Sequence, residues 1–267
     1  MGVPQIGCDC PVCTSADPRD KRRRCGAYVT SGNSAFLIDT PPELREACIQ
    51  YSVKKVDGVL LTHAHMDHIA AFDDIRRFNT INGEVVKCDP ASPGANGRSE
   101  RVIGKVMKCY ALPETIASMR NIFPYISTQG GVGGLYRPQV EFVGNTEPFS
   151  IGELKIEAFR VEHGFPCCGY VFATKEGKRL AYISDCHDLS DEVVSKLAGV
   201  DILVLNCLRV REHPTHLSLD RALEYISRIS PQKTYLTHLC HDFKYTDWLV
   251  RLPDGVLPAY DGLELSL

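Results

Sequence analysis

His63-Ala64-His65-Met66-Asp67-His68 places four nitrogen and oxygen donors within six residues. A chance match to this H-x-H-x-D-H pattern in a chain of this composition arises about once in 1,500 sequences. Imidazole and carboxylate at that density suit divalent cations. His63 and His65 stand two apart at the end of an extended strand, so both rings can point to one side and chelate one cation. Asp67 and His68 follow a turn and can face a second. His163, Asp185 and His238 each stand alone just after a short apolar run, and a pair of cations needs such further ligands. Cys8, Cys10 and Cys13 crowd a polar segment near the start and read as ligands of another metal, since three thiolates leave one tetrahedral position open.

The elements that must position these groups alternate between strand-like and helix-like segments, which implies an α/β layered architecture. Ala27–Val29 and Ala35–Ile38 flank Ser31-Gly32-Asn33, a hairpin signal. Thr40-Pro41-Pro42-Glu43 has the form of a capping box with proline in the first helical turn. Val56–Leu61 is a buried strand running into the histidine motif, and Ile69–Phe78 follows as a helix. Later strands are expected at Val106–Ala111, Val140–Val143, Leu154–Arg160, Tyr170–Ala173, Leu180–Ile183, Ile202–Leu205 and Thr234–Leu236. Helices are expected at Asp191–Leu197, Leu219–Ile229 and Asp247–Leu252. Leu61-Thr62-His63, Ile183-Ser184-Asp185 and Leu236-Thr237-His238 repeat one pattern, an apolar strand ending in a ligand, and strand ends are where α/β folds place their sites.

Composition bounds the remaining choices. The 267 residues are 44% hydrophobic and 24% charged, ordinary for one globular domain spanning 1–267. A net charge of −3 disfavours nucleic-acid binding driven by overall charge. No apolar run approaches a membrane span and no signal-peptide core opens the chain, so a cytoplasmic, reducing location is expected. Twelve cysteines are too few for a disulfide scaffold of this length, and Cys48, Cys109, Cys167, Cys168, Cys186 and Cys207 read as small buried hydrophobes. Cys88–Arg101, with Pro90, Pro93, Gly94 and Gly97, reads as a mobile surface insertion. Gly130-Gly131-Val132-Gly133-Gly134 is a flexible loop without the lysine of a nucleotide-binding loop. Lys21-Arg22-Arg23-Arg24 reads as a solvated basic face.

The H-x-H-x-D-H motif after Val59-Leu60-Leu61-Thr62, with the later His, Asp and His, resembles the metallo-β-lactamase-fold hydrolases. The resemblance implies a four-layer αββα sandwich with a binuclear metal site at the strand ends. It assigns His63, His65, His163 and Asp185 to one cation and Asp67, His68, His238 and Asp185 to the other, Asp185 bridging. Gly7-Cys8-Asp9-Cys10-Pro11-Val12-Cys13 and Leu236-Thr237-His238-Leu239-Cys240-His241 narrow it to the phosphoribosyl cyclic phosphate phosphodiesterase, or PhnP-like, subfamily. Asp74-Ile75-Arg76-Arg77-Phe78-Asn79, His213-Pro214-Thr215-His216 and Tyr260-Asp261-Gly262-Leu263 extend the likeness over nearly the whole chain. It implies a structural zinc on Cys8, Cys10, Cys13 and His241, with Cys25 and Cys240 as rival fourth ligands. Two departures stand beside it: the subfamily's first strand, before Gly2-Val3-Pro4, is missing, and the 88–101 insertion is longer than typical.

The activity so implied is hydrolysis of a small cyclic phosphate, such as phosphoribosyl 1,2-cyclic phosphate, by two divalent ions, zinc or manganese. The subfamily places an acid histidine in the context that His216 occupies, with His213 as alternate, and Asp67 is assigned to catalysis as well as to a metal. Asp39, ending a strand, is expected to accept a hydrogen bond from a ligating imidazole and fix its tautomer. Arg209 and Arg76, with His213, are candidates for binding a substrate phosphate. The expected partner is a small phosphorylated molecule, not a nucleic acid or membrane; homodimer formation stays open. A thioester, lactone or RNA phosphodiester substrate, or a zinc-stabilised binding module with an idle site, are the alternatives.

Overall fold

The computed structural model describes residues 2–92, 96–126 and 137–267; the Gly130–Gly134 run lies outside them. The chain divides into two compact units, Gly26–Gly144 and Met1–Cys25 with Asn145–Leu267.

In the Gly26–Gly144 unit, β1 (Ala27–Ser31) and β2 (Ser34–Ile38) form a hairpin whose Gly32 adopts a positive φ of 55°. Then come α1 (Leu44–Gln50), β3 (Gly58–Leu60), α2 (Met66–Ile69), α3 (Arg76–Ile81), β4 (Glu84–Lys87), β5 (Glu100–Ile103), β6 (Met107–Ala111), α4 (Pro113–Ile122) and β7 (Val140–Gly144). The main sheet has the order β1-β2-β3-β6-β7, and all pairings after the first are parallel. β3 is therefore flanked on both sides, which explains its wholly apolar, fully buried run. Leu37, Val59, Leu61, Ile69, Phe72, Ile75, Cys109 and Met119 pack into one core.

The second unit holds β8 (Phe149–Ile151), β9 (Leu154–Val161), β10 (Cys167–Ala173), β11 (Arg179–Ile183), α5 (Asp191–Leu197), β12 (Ile202–Asn206), α6 (Leu219–Ile229), β13 (Lys233–Thr237), α7 (Tyr245–Leu249) and β14 (Val256–Pro258). Its sheet runs β14-β13-β12-β11-β10-β9-β8. β11, β12, β13 and β14 are mutually parallel, and two antiparallel steps through β10 bring β9 back to the same direction. The C-terminal ends of β9, β11, β12 and β13 thus share one edge of the sheet. Ser190 caps α5 by accepting from the Val193 amide. In α6, Leu219, Ala222, Tyr225 and Ile229 form the buried stripe at helical spacing.

Several sequence expectations are corrected. The capping box at Thr40 does not form: α1 starts at Leu44, and Thr40 donates its amide to the His68 carbonyl at 2.7 Å instead. The Ile69–Phe78 helix is broken into α2, a 3₁₀ turn at Phe72–Ile75 and α3. Its ladder is interrupted where the Ala71 amide bonds the Thr40 carbonyl at 3.0 Å. β4 and β5 form an exposed two-stranded ribbon, extended by a bond from the Cys88 amide to the Ser99 carbonyl, and residues 93–95 of the 88–101 insertion lie outside the described residues. Cys48 is half-buried, whereas Cys109, Cys167, Cys168, Cys186 and Cys207 are buried as expected.

The basic run is not a solvated face. Arg22 is 7% exposed, and its guanidinium donates to the carbonyls of Cys240 and Phe243 while pairing with buried Asp20 at 3.4 Å. Burial lowers the Arg22 pKa, opposed chiefly by the Asp20 charge. Asp20 in turn accepts from the Tyr245 amide at 2.7 Å, so the N-terminal segment is bolted onto the loop after β13. Arg22→Met would leave Asp20 buried without its counter-charge and is expected to cost about 3–5 kcal/mol in chemical denaturation; a loss below 1 kcal/mol would show that the anchor is dispensable.

Candidate metal centre

The Gly26–Gly144 unit carries the histidine motif at the C-terminal end of its central strand. Asp39 follows β2 in the left-handed region, with φ 60° and an amide bonded to the Leu60 carbonyl. That kink aims its fully buried carboxylate across β3, where it accepts from the Thr62 amide, the Thr62 hydroxyl and His68 Nδ1, all at 2.8 Å. Burial pushes the Asp39 carboxyl upward, opposed by His68 and Thr62.

These bonds fix protons by elimination. A carboxylate only accepts, so His68 carries its proton on Nδ1 and turns the Nε2 lone pair outward. Thr62 has one hydroxyl hydrogen and gives it to Asp39, so at its 2.9 Å contact with His63 Nδ1 the threonine oxygen accepts. His63 is thereby also an Nδ1–H tautomer. Its Nε2 lies 2.9 Å from His65 Nδ1. Two zinc-bound nitrogens in tetrahedral geometry would lie about 3.3 Å apart, so the two rings stand close to the spacing that a shared cation would need. Asp67 and His68 fall in α2, which starts immediately after His65.

The second unit collects its donors on the shared sheet edge. His163 follows β9, Asp185 follows β11, Asn206 ends β12, and His238 follows β13 with a left-handed φ of 59°. His163 Nε2 and His238 Nε2 lie 3.9 and 3.3 Å from Asp185 Oδ1. His163 Nδ1 donates to the Thr215 carbonyl at 2.7 Å, which directs its Nε2 to Asp185. His216 belongs to the same cluster: its Nδ1 is 3.6 Å from Asp185 Oδ1, and its ring stacks on His238. Burial, with His238 and His163 nearby, pushes the His216 pKa down to about 3, so the ring is neutral near pH 7.

Asn206 ties this cluster together. Its Nδ2 donates to the Ser184 carbonyl at 2.9 Å, and its Oδ1 accepts from the Leu217 amide at 3.0 Å. The residues before Asp185 and after His216 are thus held by one buried amide. Thr62 and Thr215 carry no signal of their own in the sequence, because Asp39 and His163 reach them from other elements. Arg209 reaches the carbonyls of Arg211 and Glu212 in its own loop, while Arg76 pairs with Asp73 at 3.1 Å on an exposed helical turn. His213 lies 5.0 Å from His216, ring centre to ring centre.

A second donor set sits in the same unit. The Sγ atoms of Cys8, Cys10 and Cys13 lie 3.2, 3.6 and 3.6 Å from His241 Nδ1. Tetrahedral zinc with Zn–S about 2.3 Å and Zn–N about 2.05 Å requires an S···N separation of about 3.6 Å, which this set matches. The Cys13 amide points at Cys10 Sγ and, as the largest influence, holds that thiol down at about 7, while burial raises Cys13. Cys25 instead contacts the Thr237 hydroxyl, and Cys240 accepts from the Asp242 amide, so neither rival joins the set.

Comparison with known proteins supplies the family. Residues 34–239 match the model of the Beta-lactamase superfamily domain. A protein of Porphyromonas gingivalis named octanoyltransferase is 31% identical over 98% of this chain; the chain spans only about half (49%) of that relative. A solved structure described as a new diphosphatase from the PhnP family superposes with a TM-score of 0.81 and 32% identity, over 100% of this chain and 93% of the other. Zinc-bound PqqB from Methylobacterium extorquens shares the fold, with a TM-score of 0.72 at 18% identity over 100% and 96% of the two chains.

Cys10→Ser is expected to remove one equivalent of metal per chain and to lower the melting temperature, measured by elemental analysis and calorimetry. An unchanged melting temperature, with all three native thiols reacting quickly with a thiol reagent, would exclude a metal at this cluster.

Proposed function

The chain belongs to the β-lactamase superfamily, as a metal-dependent hydrolase of the metallo-β-lactamase fold, and from that premise we propose that it cleaves a phosphodiester in a small cyclic phosphate such as phosphoribosyl 1,2-cyclic phosphate. In this reading His63, His65 and His163 would hold one cation, Asp67, His68 and His238 the other, and Asp185 would be a ligand of both. Cys8, Cys10, Cys13 and His241 hold a separate structural zinc. The observation that carries the reading is that His63, His68 and His163 each have one ring nitrogen committed to a fixed acceptor, which points the other toward a cation.

When bound, two such cations lower the pKa of water and neutralise charge on a phosphoryl group. The remaining work falls to the chain. Asp39 keeps His63 and His68 in the ligating tautomer, and Asn206 keeps Asp185 and His216 in register. His216, neutral at pH 7, would donate a hydrogen bond from its ring N–H to the departing oxygen and stabilise the charge that accumulates there. A second reading, cleavage of a diphosphate linkage, is favoured by the likeness to the PhnP-family diphosphatase. The name octanoyltransferase belongs to a relative about twice as long and is not carried over.

The deciding experiment reconstitutes the protein with zinc or manganese and assays bis(p-nitrophenyl) phosphate, a five-membered sugar cyclic phosphate and a dinucleotide diphosphate side by side. Turnover of the cyclic phosphate at the highest kcat/KM supports the first reading, preference for the diphosphate supports the second, and inactivity on all three removes both. Asp185→Asn is expected to abolish turnover while circular dichroism and melting temperature stay near wild type; wild-type rates in that variant would end the two-cation reading. His216→Ala should lower turnover about 10²–10⁴-fold for poor leaving groups and much less for p-nitrophenolate, with metal content unchanged. Equal losses on both substrate types would make His216 a positioning group, and loss of metal would make it a ligand.

A further inference from the structure

The second unit holds a cleft at the end of its sheet opposite the edge that carries His163 and Asp185. Its volume is about 270 Å³, and Lys155, Glu157, Val171, Ala173, Arg179 and Lys196 line it. Lys155 is the second residue of β9, Ala173 the last of β10 and Arg179 the first of β11. Lys196 stands near the C-terminal end of α5.

The sheet register builds the floor. Lys155 lies directly opposite Ala173, and Ala173 directly opposite Arg179. Side chains opposite one another project from the same face, so the two cations flank a single methyl group. Their backbones are two strand spacings apart, about 9.6 Å. Two residues further along β9, Glu157 lies opposite the buried Val171 in the same way. A larger side chain at position 173 would fill the gap between Lys155 and Arg179; alanine leaves it open.

The charge in the cleft is unbalanced. Three cations face one carboxylate, and Glu157 Oε1 already accepts from Lys196 Nζ at 2.5 Å. The Arg179 guanidinium donates to the carbonyls of Lys196 and Ala198 at the end of α5, which fixes its plane and uses two of its five N–H groups. Lys155 Nζ has no hydrogen-bond or ion-pair partner among the described residues. The excess is two positive charges, and a phosphomonoester carries close to two negative ones at neutral pH. A guanidinium held in place beside a free ammonium suits the oxygens of such a group.

We propose that this cleft binds a small phosphomonoester, with the phosphate over Ala173 between Lys155 and Arg179 and a short carbon stem against Val171. Lys196 is the third donor, released from Glu157 as the phosphate enters. Glu157 then repels ligands that extend a further anion along β9. The site needs neither a metal nor the phosphodiesterase reading, since every contact is made by side chains of β9, β10, β11 and α5.

The test follows backbone amide shifts of the zinc-loaded, isotope-labelled protein by NMR, at constant ionic strength. Inorganic phosphate and glycerol 3-phosphate are the probes. Both should move the amides of Ala173 and Arg179 saturably, with Kd in the millimolar range or below, and glycerol 3-phosphate should bind at least as tightly as phosphate. Lys155→Gln should raise both Kd values about tenfold, the effect of losing one hydrogen bond to a charged group. Ala173→Leu should abolish the saturable shifts at Arg179. Shifts beside His163 and Asp185 are scored separately, because a loaded metal centre binds phosphate too. Shifts at Ala173 and Arg179 that grow linearly without saturating would reduce the cleft to ionic screening and overturn the proposal. So would unchanged Kd values in Lys155→Gln, or glycerol 3-phosphate binding more than tenfold more weakly than inorganic phosphate. Should Ala173→Leu fail to fold, the exposed Lys155 and the two probes still decide.

Discussion

The buried carboxylate of Asp39 is the interaction on which the first half of the metal centre depends. It takes three hydrogen bonds from a loop that begins with Thr62 and ends with His68, and so closes that loop on itself. A charge with no exposed surface is costly unless it is fully hydrogen-bonded, and these three donors offset that cost while doing chemical work. Through Thr62 the carboxylate sets the tautomer of His63, and directly it sets that of His68. One anion thus prepares ligands for both proposed cations. The backbone adds to the same clasp, with Thr40 bonded to the carbonyl of His68 and to the amide of Ala71.

The second unit solves the same problem with neutral groups. Parallel strands β11, β12 and β13 bring Asp185, Asn206 and His238 to one edge because their registers are locked residue by residue. The β12–α6 loop could still drift, and Asn206 restrains it by bonding both to the strand end before Asp185 and to the residue after His216. An amide suits this position because it offers a donor and an acceptor at once; an aspartate in the same place would set its charge against the Ser184 carbonyl.

How much of this was legible in the sequence depended on whether a signal was local. The helices at Asp191–Leu197 and Leu219–Ile229 match their expected bounds because apolar spacing and a serine cap are local features. The donors proposed for the metal centre stood out for a similar reason: each follows a short apolar strand, and the H-x-H-x-D-H spacing is dense. The Thr40 capping box failed because a distant carbonyl outbid the local bond, which no window around Thr40 could reveal. Pro113, Ile116 and Met119 did carry a local signal for α4 that went unread. Arg22 looked like surface charge, since its partners at Cys240 and Phe243 lie more than two hundred residues away. Asn206, Thr62 and Thr215 act through partners in other elements, namely Ser184, Asp39 and His163, so they become visible only with the fold.

Two of the non-glycine residues at positive φ belong to the candidate metal centre. Asp39 and His238 both sit at positive φ, at 60° and 59°, where a side chain normally costs about 1 kcal/mol or more and glycine would be relaxed. Each stands directly after a strand, Asp39 after β2 and His238 after β13, where a left-handed residue turns the chain sharply and projects its side chain over the sheet edge. Glycine would keep the turn and lose the group; a residue in ordinary extended geometry would keep the group and lose its direction. The hydrogen bonds of Asp39, and the packing of the His238 ring on His216, hold each against relaxation. Strain at these two positions is therefore tied to the side chains that the site requires there, and it is offset by contacts made by those same side chains.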